Sequence, residues 1–310
     1  MKFDTNIKHY RNEIINHQIE NYKKLRKESE LPELNKNTEK LLKNNINNLL
    51  DNGKGSVLLD EEKIKGFLIG FEVEEMWGNP SIYIPVYGHG VDSEDITRTY
   101  QKLYKENSKR WVEDGYKQHA VTLYSKEKTS IDTWFWLGFG LRCVDGIKKI
   151  NKDAEKNKII TEISRKNIHK LKNIHEEHTK YYSKPPLFMI RDEDKNPLET
   201  LKKWHDNKNH HLFAYFEGEK VLGYMRIEEK GEQFLTNDSD MMNITSAYVD
   251  PEFRGNKIGY KLLNHIENWL YEKGYTKLGV DFESFNILGS NFWRKHFEMY
   301  SYTMVRRIDG

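Results

Sequence analysis

A single cysteine, Cys143, in 310 residues rules out an intrachain disulfide framework, and no cysteine or histidine spacing of a zinc site accompanies it. No metal is therefore expected. Long apolar runs are missing too: no stretch approaches about eighteen apolar residues, and the opening "MKFDTNIKHYRNEIINHQIE" lacks the apolar centre of a signal peptide. The expectation is a cytoplasmic protein with no membrane partner. Neither sign of charge dominates, with 50 basic against 48 acidic residues and a net charge of +2, so no nucleic-acid partner is expected. What the chain does hold is material for packed cores, 37% hydrophobic and 13% aromatic residues with only seven prolines, which excludes a disordered chain. The length allows two domains of about 150 residues each.

The pattern along the chain supports that division. Helical spacing runs from Asn12 to Lys27 and from Asn37 to Asp51, with a turn at Pro32 between them. "GSVLLDEEKIKGFLIGFEV" reads as two strands joined at a charged turn, and "SIYIPVY" as a third. A helix from Asp95 to Asp114, the strand "HAVTLYS", the short helix "SIDTWFWLG" and the strand "LRCVDGIKKI" complete the first half. The charged "NKDAEKNK" at 151–158 marks a junction. The order then repeats: strand "IITEIS", helix "RKNIHKLKNIHEEHTKYY", hairpin "HLFAYFEGEKVLGYMRIEE", strand "MNITSAYV", helix Gly259 to Lys273, strand "LGVDFES", short helix "NILGSNFWRKHF" and strand "SYTMVRRID". Both halves place a Trp-containing aromatic helix before a last strand that ends in basic residues. This predicts an α/β fold built as two tandem copies of one mixed-sheet unit, over 1–150 and 157–310.

The stretch "VDPEFRGNKIG", residues 249–259, joins a strand to a helix through two glycines and a basic pair. Helix N-termini expose unpaired N–H groups and the positive end of the helix dipole, so a glycine-bearing turn there suits an anion. Neither GxxxxGK[ST] nor GxGxxG is present. The longer "YVDPEFRGNKIGYKLL" resembles motif A of the GCN5-related N-acetyltransferases (GNAT), whose pattern Q/RxxGxG/A holds the pyrophosphate of acetyl-CoA. Arg254 fills the first position and Gly259 the last, while Lys257 stands where the middle glycine belongs. "EGEKVLGYMRI" resembles the hairpin that precedes this motif, and Asn286 in "VDFESFNILGSNFW" matches an asparagine that contacts the cofactor.

The resemblance covers about residues 157–308 and implies acetyl-CoA as co-substrate, held by Arg254, Gly255, Asn256, Lys257, Ile258, Gly259 and Asn286, with the strand backbone at Tyr248 and Val249 on the pantetheine arm. No such loop appears in the first half, which reads as a degenerate copy. The implied activity is acetyl transfer to a primary amine, with a small-molecule acceptor expected. Two alternatives stay open, an acyl-CoA-binding or regulatory module without turnover and an enzyme acting on protein lysines or N-termini. Acceptor identity and oligomeric state are left open.

Acyl transfer also needs proton carriers. The family often places a glutamate on its fourth strand and a tyrosine in the helix after its fifth, and these positions hold Asn243 and Trp293 here. An amide is no base, and an indole N–H does not titrate usefully. Asp240, Glu283 and Tyr302 are the substitutes nearby, with Tyr300 beside them and His89 or His119 in the first half as further candidates. "HEEH" at 175–178 reads as a solvated helix face, "NKNHH" at 207–211 as a polar turn, and Trp134, Phe135 and Trp136 as an aromatic helix packed on a sheet.

Overall fold

A computed structural model describes residues 1–29, 31–189 and 196–309. The chain divides into two units, the first made of Met1–Asp145 plus the segment from Glu298 onward, the second of Gly146–Phe297.

In the first unit, β1 (Lys2–Asp4) is followed by α1 (Arg11–Lys27) and α2 (Lys36–Asn52). Asn35 starts α2 by accepting the amides of Asn37 and Thr38, two of the donors a helix start leaves unpaired. β2 (Lys54–Asp60) and β3 (Lys63–Met76) form the hairpin expected at the charged turn, with Glu61 and Glu62 at φ +48° and +66°. β4 (Asn79–Ile84), β5 (His89–Val91), α3 (Ile96–Glu113), β6 (Gln118–Tyr124), α4 (Lys128–Trp136) and β7 (Gly140–Lys149) follow. The sheet runs β1-β2-β3-β4-β6, with β5 turned back onto β3. Along α3, Tyr100, Leu103, Tyr104 and Trp111 recur at helical spacing and bury one face, which meets Trp134 and Phe139.

The second unit holds β8 (Ile160–Glu162), α5 (Lys172–Tyr181), α6 (Pro197–His205), β9 (His210–Glu217), β10 (Lys220–Glu228), β11 (Met241–Val249), α7 (Ile258–Glu272), β12 (Lys277–Glu283) and α8 (Ile287–His296). Its sheet runs β8-β9-β10-β11-β12, flanked on β12 by the end of β7. The strands from β8 to β11 pair antiparallel, whereas β11 and β12 are parallel because α7 carries the chain back between them. α7 buries Ile258, Leu262, Leu263, Ile266 and Leu270 on one face of this sheet. Leu171, Ile174 and Leu201 pack on Leu212, Ala214 and Tyr224 at the other.

The last strand, β13 (Glu298–Arg307), corrects the linear division at 1–150 and 157–310. It pairs antiparallel with β6, from Ser301↔Tyr124 to Arg307↔Gln118, and so completes the first unit's sheet. Thr122 and Thr303 share a 2.8 Å hydroxyl contact, and Met304 is buried in the first unit's core beside Trp134 and Phe139. The exchange satisfies the open edge of β6, which an alternating strand pattern alone cannot assign to a partner.

Met304→Asp therefore places a carboxylate in the first unit's core, and the cost is expected to exceed about 2 kcal/mol. Urea unfolding followed by tryptophan fluorescence checks this, since Trp111 and Trp134 lie in the same core.

Candidate active site

The site grows from the end of β11. Asp250 turns the chain by accepting the Glu252 amide at 3.1 Å, and Pro251–Phe253 form one 3-10 turn. Gly255 then takes φ +88°, with no atom within 4 Å of where a Cβ would stand, so this glycine serves the backbone conformation rather than close packing. Lys257, the residue that departs from the glycine pattern, adopts φ +60° and ψ +18° directly before α7. The left-handed conformation of the loop is thus kept by a residue that bears a cost of about 1–2 kcal/mol for it. Gly259 is different: its φ is not positive, and a Cβ there would rest 3.5 Å from Phe292 in ordinary contact. The first amides of α7 point out of the helix without intrahelical acceptors.

β11 and β12 part beside this loop. Their parallel pairing runs from Met241↔Lys277 to Ile244↔Val280 and ends there. On its other side β11 skips a residue, because Ile227 faces Ile244 while Arg226 faces Ser246, so Thr245 is a bulge. Beyond it, Ser246–Val249 continue on β10 alone, and Thr245 Oγ1 is buried with no partner among the described residues. A gap edged by strand backbone therefore opens next to a donor-bearing helix start.

Aromatic side chains line the approach. Arg254 Nε donates to Val249 O at 3.1 Å, and its guanidinium lies 5.4 Å from the ring centres of both Tyr181 and Tyr248. Tyr181 donates to Asn286 Oδ1 at 3.0 Å, and the same oxygen accepts the Gly289 amide at 3.2 Å, so Asn286 caps α8 while holding Tyr181. Burial raises the pKa of Tyr181 and Tyr248, and Arg254 opposes the rise in each.

The "HEEH" segment is not a solvated face. His178 is buried, stacks on Tyr248 at 4.7 Å and sits 2.7 Å from the Tyr224 hydroxyl, which His175 also approaches to 2.9 Å. One hydroxyl donates once, so it donates to one histidine and accepts from the other. Among the described residues no group of three His, Cys, Asp or Glu could hold a metal.

The sequence-expected proton carriers are dispersed. Asn243 is buried and its Nδ2 donates to Thr236 O at 2.8 Å and Glu229 O at 3.2 Å, so it ties down the β10–β11 connection. Trp293 is buried between Phe292 and Phe297. Asp240 accepts from Thr276 and pairs with Lys277 Nζ at 2.7 Å, at the start of β11. Nine residues of strand, about 30 Å, separate it from the end where the loop begins. Tyr302 lies on β13, opposite Leu123 in the first unit. Glu283 alone of the three stands at the parted end, as the last residue of β12. Sequence reasoning passed over its neighbour Asp281: burial and the like charges of Glu232, Glu283 and Glu228 push this carboxyl up to about 7. Glu232 is raised as well, by burial and then Glu283.

In the first unit, His89 and His119 are closed off as core groups. His89 Nε2 donates to Thr122 O at 2.9 Å and Nδ1 accepts from Tyr100 at 2.8 Å; His119 Nε2 donates to Tyr116 O at 3.1 Å and Nδ1 accepts from Tyr104 at 2.9 Å. Burial pushes both pKa values down to about 4. Trp134 is fully buried, whereas Phe135 and Trp136 are exposed rather than packed on the sheet. The parallel pair of this unit, β4 and β6, runs from Ser81↔Gln118 to Ile84↔Val121, and α3 starts on its own Asp95, whose carboxylate accepts the Arg98 amide at 2.9 Å. A cleft of about 280 Å³ elsewhere in this unit is lined by Lys8, Asp51, Lys54, Arg110 and Asp114. Its charges are matched, with Lys8 on Asp51 and Lys54 on Asp114 and Glu72.

Comparison with known proteins agrees with this geometry. Residues 171–297 match the model of the Acetyltransferase (GNAT) family, and the match stops where the second unit does. No curated protein matches the chain. Among solved structures, an acetyltransferase from the GNAT family of Colwellia psychrerythraea is 11% identical over 100% of both chains, with a TM-score of 0.51. A GCN5-related N-acetyltransferase from Sphaerobacter thermophilus is 13% identical over 84% of this chain and 81% of its own, also at 0.51. A GCN5-related glucosamine N-acetyltransferase region of a fungal multi-domain GH3 β-N-acetylglucosaminidase is 14% identical over 98% of this chain and 38% of that one, at 0.58. At such identities the likeness is one of fold.

Lys257→Gly is expected to stabilise the protein by about 0.5–1 kcal/mol, since glycine adopts the left-handed conformation without strain. The urea midpoint reads it. The buried histidines set a pH dependence: unfolded, each takes up a proton near 6.5, but folded only near 4. The unfolded chain binds more protons between these values, so their contribution is complete above pH 6.5 and is lost as pH falls toward 4. Urea midpoints across that range should decline, and His89→Gln should flatten the slope.

Proposed function

We propose, from the match of residues 171–297 to the model of the Acetyltransferase (GNAT) family, that the chain is an N-acyltransferase moving an acetyl group from acetyl-CoA to a primary amine of a small molecule. One observation carries the reading: the parallel pair β11 and β12 separates after Ile244 and Val280, directly beside the left-handed turn that starts α7. The residues present fit such a co-substrate. Arg254, Gly255, Asn256, Lys257, Ile258 and Gly259 would hold its pyrophosphate, with the open space at Gly255 leaving room for the anion. Tyr248 and Val249 lie on the strand edge that would receive the pantetheine arm, and Asn286 bounds the gap from α8. When bound, acetyl-CoA supplies an acetyl group activated as a thioester.

The first unit takes the role of a copy without a cofactor site, because its α3 start is capped by the Asp95 carboxylate, which accepts a first-turn amide and places negative charge where an anion would sit. A cytoplasmic location belongs to the same reading; among the described residues no helix is long and apolar enough to cross a membrane. A second reading, binding of acyl-CoA without turnover, is favoured by the amide and indole at the two usual proton positions, Asn243 and Trp293. Thiol release measured against a panel of mono-, di- and polyamines separates the two.

Calorimetry should find one CoA per chain. Gly255→Asp brings a carboxylate to the turn and should weaken that affinity more than tenfold, about 1.4 kcal/mol. Unchanged affinity would remove the loop from the site, and two CoA per chain would restore a site to the first unit.

A further inference from the structure

β12 turns successive side chains to opposite faces of the sheet. Leu278, Val280 and Phe282 are buried on one face, and Lys277, Gly279, Asp281 and Glu283 share the opposite one. Register carries that face across the sheet, since Gly279 lies beside Asn243, which lies beside Glu228. The position where relatives hold a glutamate and the carboxyl of Asp281 therefore face the same side, one strand and two residues apart.

Two features of this face call for a ligand. Asn243 Oδ1 is buried and has no hydrogen-bond partner among the described residues, although the Nδ2 of the same amide is engaged. It lies against Gly279, where a Cβ would collide both with it and with the Met241 methyl, so only glycine leaves that oxygen uncovered between Met241 and Gly231. An acceptor in that position suits an N–H donor. The second feature is the position of Asp281 beyond Val280, the last residue of β12 that pairs with β11, so that it borders the parted segment; it also keeps an exposed face to solvent.

We propose that Asp281 is the base that deprotonates the acceptor ammonium, acting from β12 in place of the strand carboxylate that Asn243 has replaced. The inference rests on the acyl-transfer reading of residues 171–297. An N–H bond of the ammonium breaks and an O–H bond forms on Asp281. The freed nitrogen lone pair makes the C–N bond as the thioester C–S bond breaks, the departing sulfur takes the second amine proton, and Asp281 returns its proton to solvent. Desolvation of the carboxyl, and after it the like charges of Glu232, Glu283 and Glu228, hold the base near neutrality, and the same charges draw in a cation. The nearest cation along β12, Lys277, is engaged by Asp238 and Asp240, and Lys148 on β7 is engaged by Glu267.

The test has a readout independent of turnover. Carboxyl ¹³C shifts of aspartate-labelled protein, with Asp281 assigned by Asp281→Asn, should titrate with a midpoint near 7, and Glu232→Gln should move it to lower pH. A midpoint in the ordinary range near 4, or one that Glu232→Gln leaves in place, overturns the proposal. In parallel, kcat/KM with the panel amine that releases thiol fastest should rise tenfold per pH unit up to about 7 and then level. Asp281→Asn should lower it by about 10²- to 10⁴-fold at neutral pH, with CoA affinity retained, and abolish the levelling. Activity within threefold of the parent and an unchanged profile would overturn the role of Asp281 while leaving acyl transfer intact. A parent that binds CoA and releases no thiol with any amine would instead overturn the reading beneath it, and this inference with it. Should Asp281→Asn fail to fold, Asp281→Glu removes the same aspartate signal and so assigns it, and the shift on Glu232→Gln then decides the matter.

Discussion

The second unit depends on a parallel strand pair that stays together for only four residues, Met241–Ile244 against Lys277–Val280. Parallel strands need a crossover, here α7, and the crossover must leave β11 at the end where the pair has opened. The bulge at Thr245 re-aims the strand at that point, and the turn with Gly255 and Lys257 brings the start of α7 beside the gap. The strand edge follows from that separation, the backbone donors from the turn beside it, and the aromatic lining from Tyr181 on α5 with Tyr248. β4 and β6 hold together over an equal four pairs, Ser81–Ile84 against Gln118–Val121, but α3 starts on the Asp95 carboxylate instead of on a left-handed turn.

Much of this was legible because it is local. The hairpins, the helices with apolar stripes and the strand–turn–helix passage at 249–259 each lie within about twenty residues, where period and glycine placement speak directly. Lys257 shows where local reading stops: a lysine does not announce a left-handed backbone, and only the turn around it imposes one. α6 went unread because it is a single nine-residue helix opened by an Asn196-Pro197 cap, too short for a clear period.

What was not legible is long-range. "VDFES" reads as a plain strand, and nothing in it tells that Glu228 and Glu232 will gather about Asp281. Asp240 and Asp281 are equally acidic in a sequence, yet Thr276 and Lys277 claim the first while carboxylates crowd the second. His175 and His178 share a helix face with charged neighbours, and only the hydroxyl of Tyr224, some forty-six residues on from His178, turns that face inward. That Tyr302 pairs with β6 was hidden for the same reason, since an alternating strand says nothing about which sheet will take it.

The placement of β13 bears on how the chain is made. Thr122 and Thr303 stand 181 residues apart and meet as neighbours. A ribosome releases the first unit's helices and most of its sheet before the second unit, yet the strand that seals the edge of β6 emerges only after it. N-terminal domains as a rule fold first during synthesis. Here the domain begun first is finished last, and its core waits with β6 unsealed until the second domain has been translated.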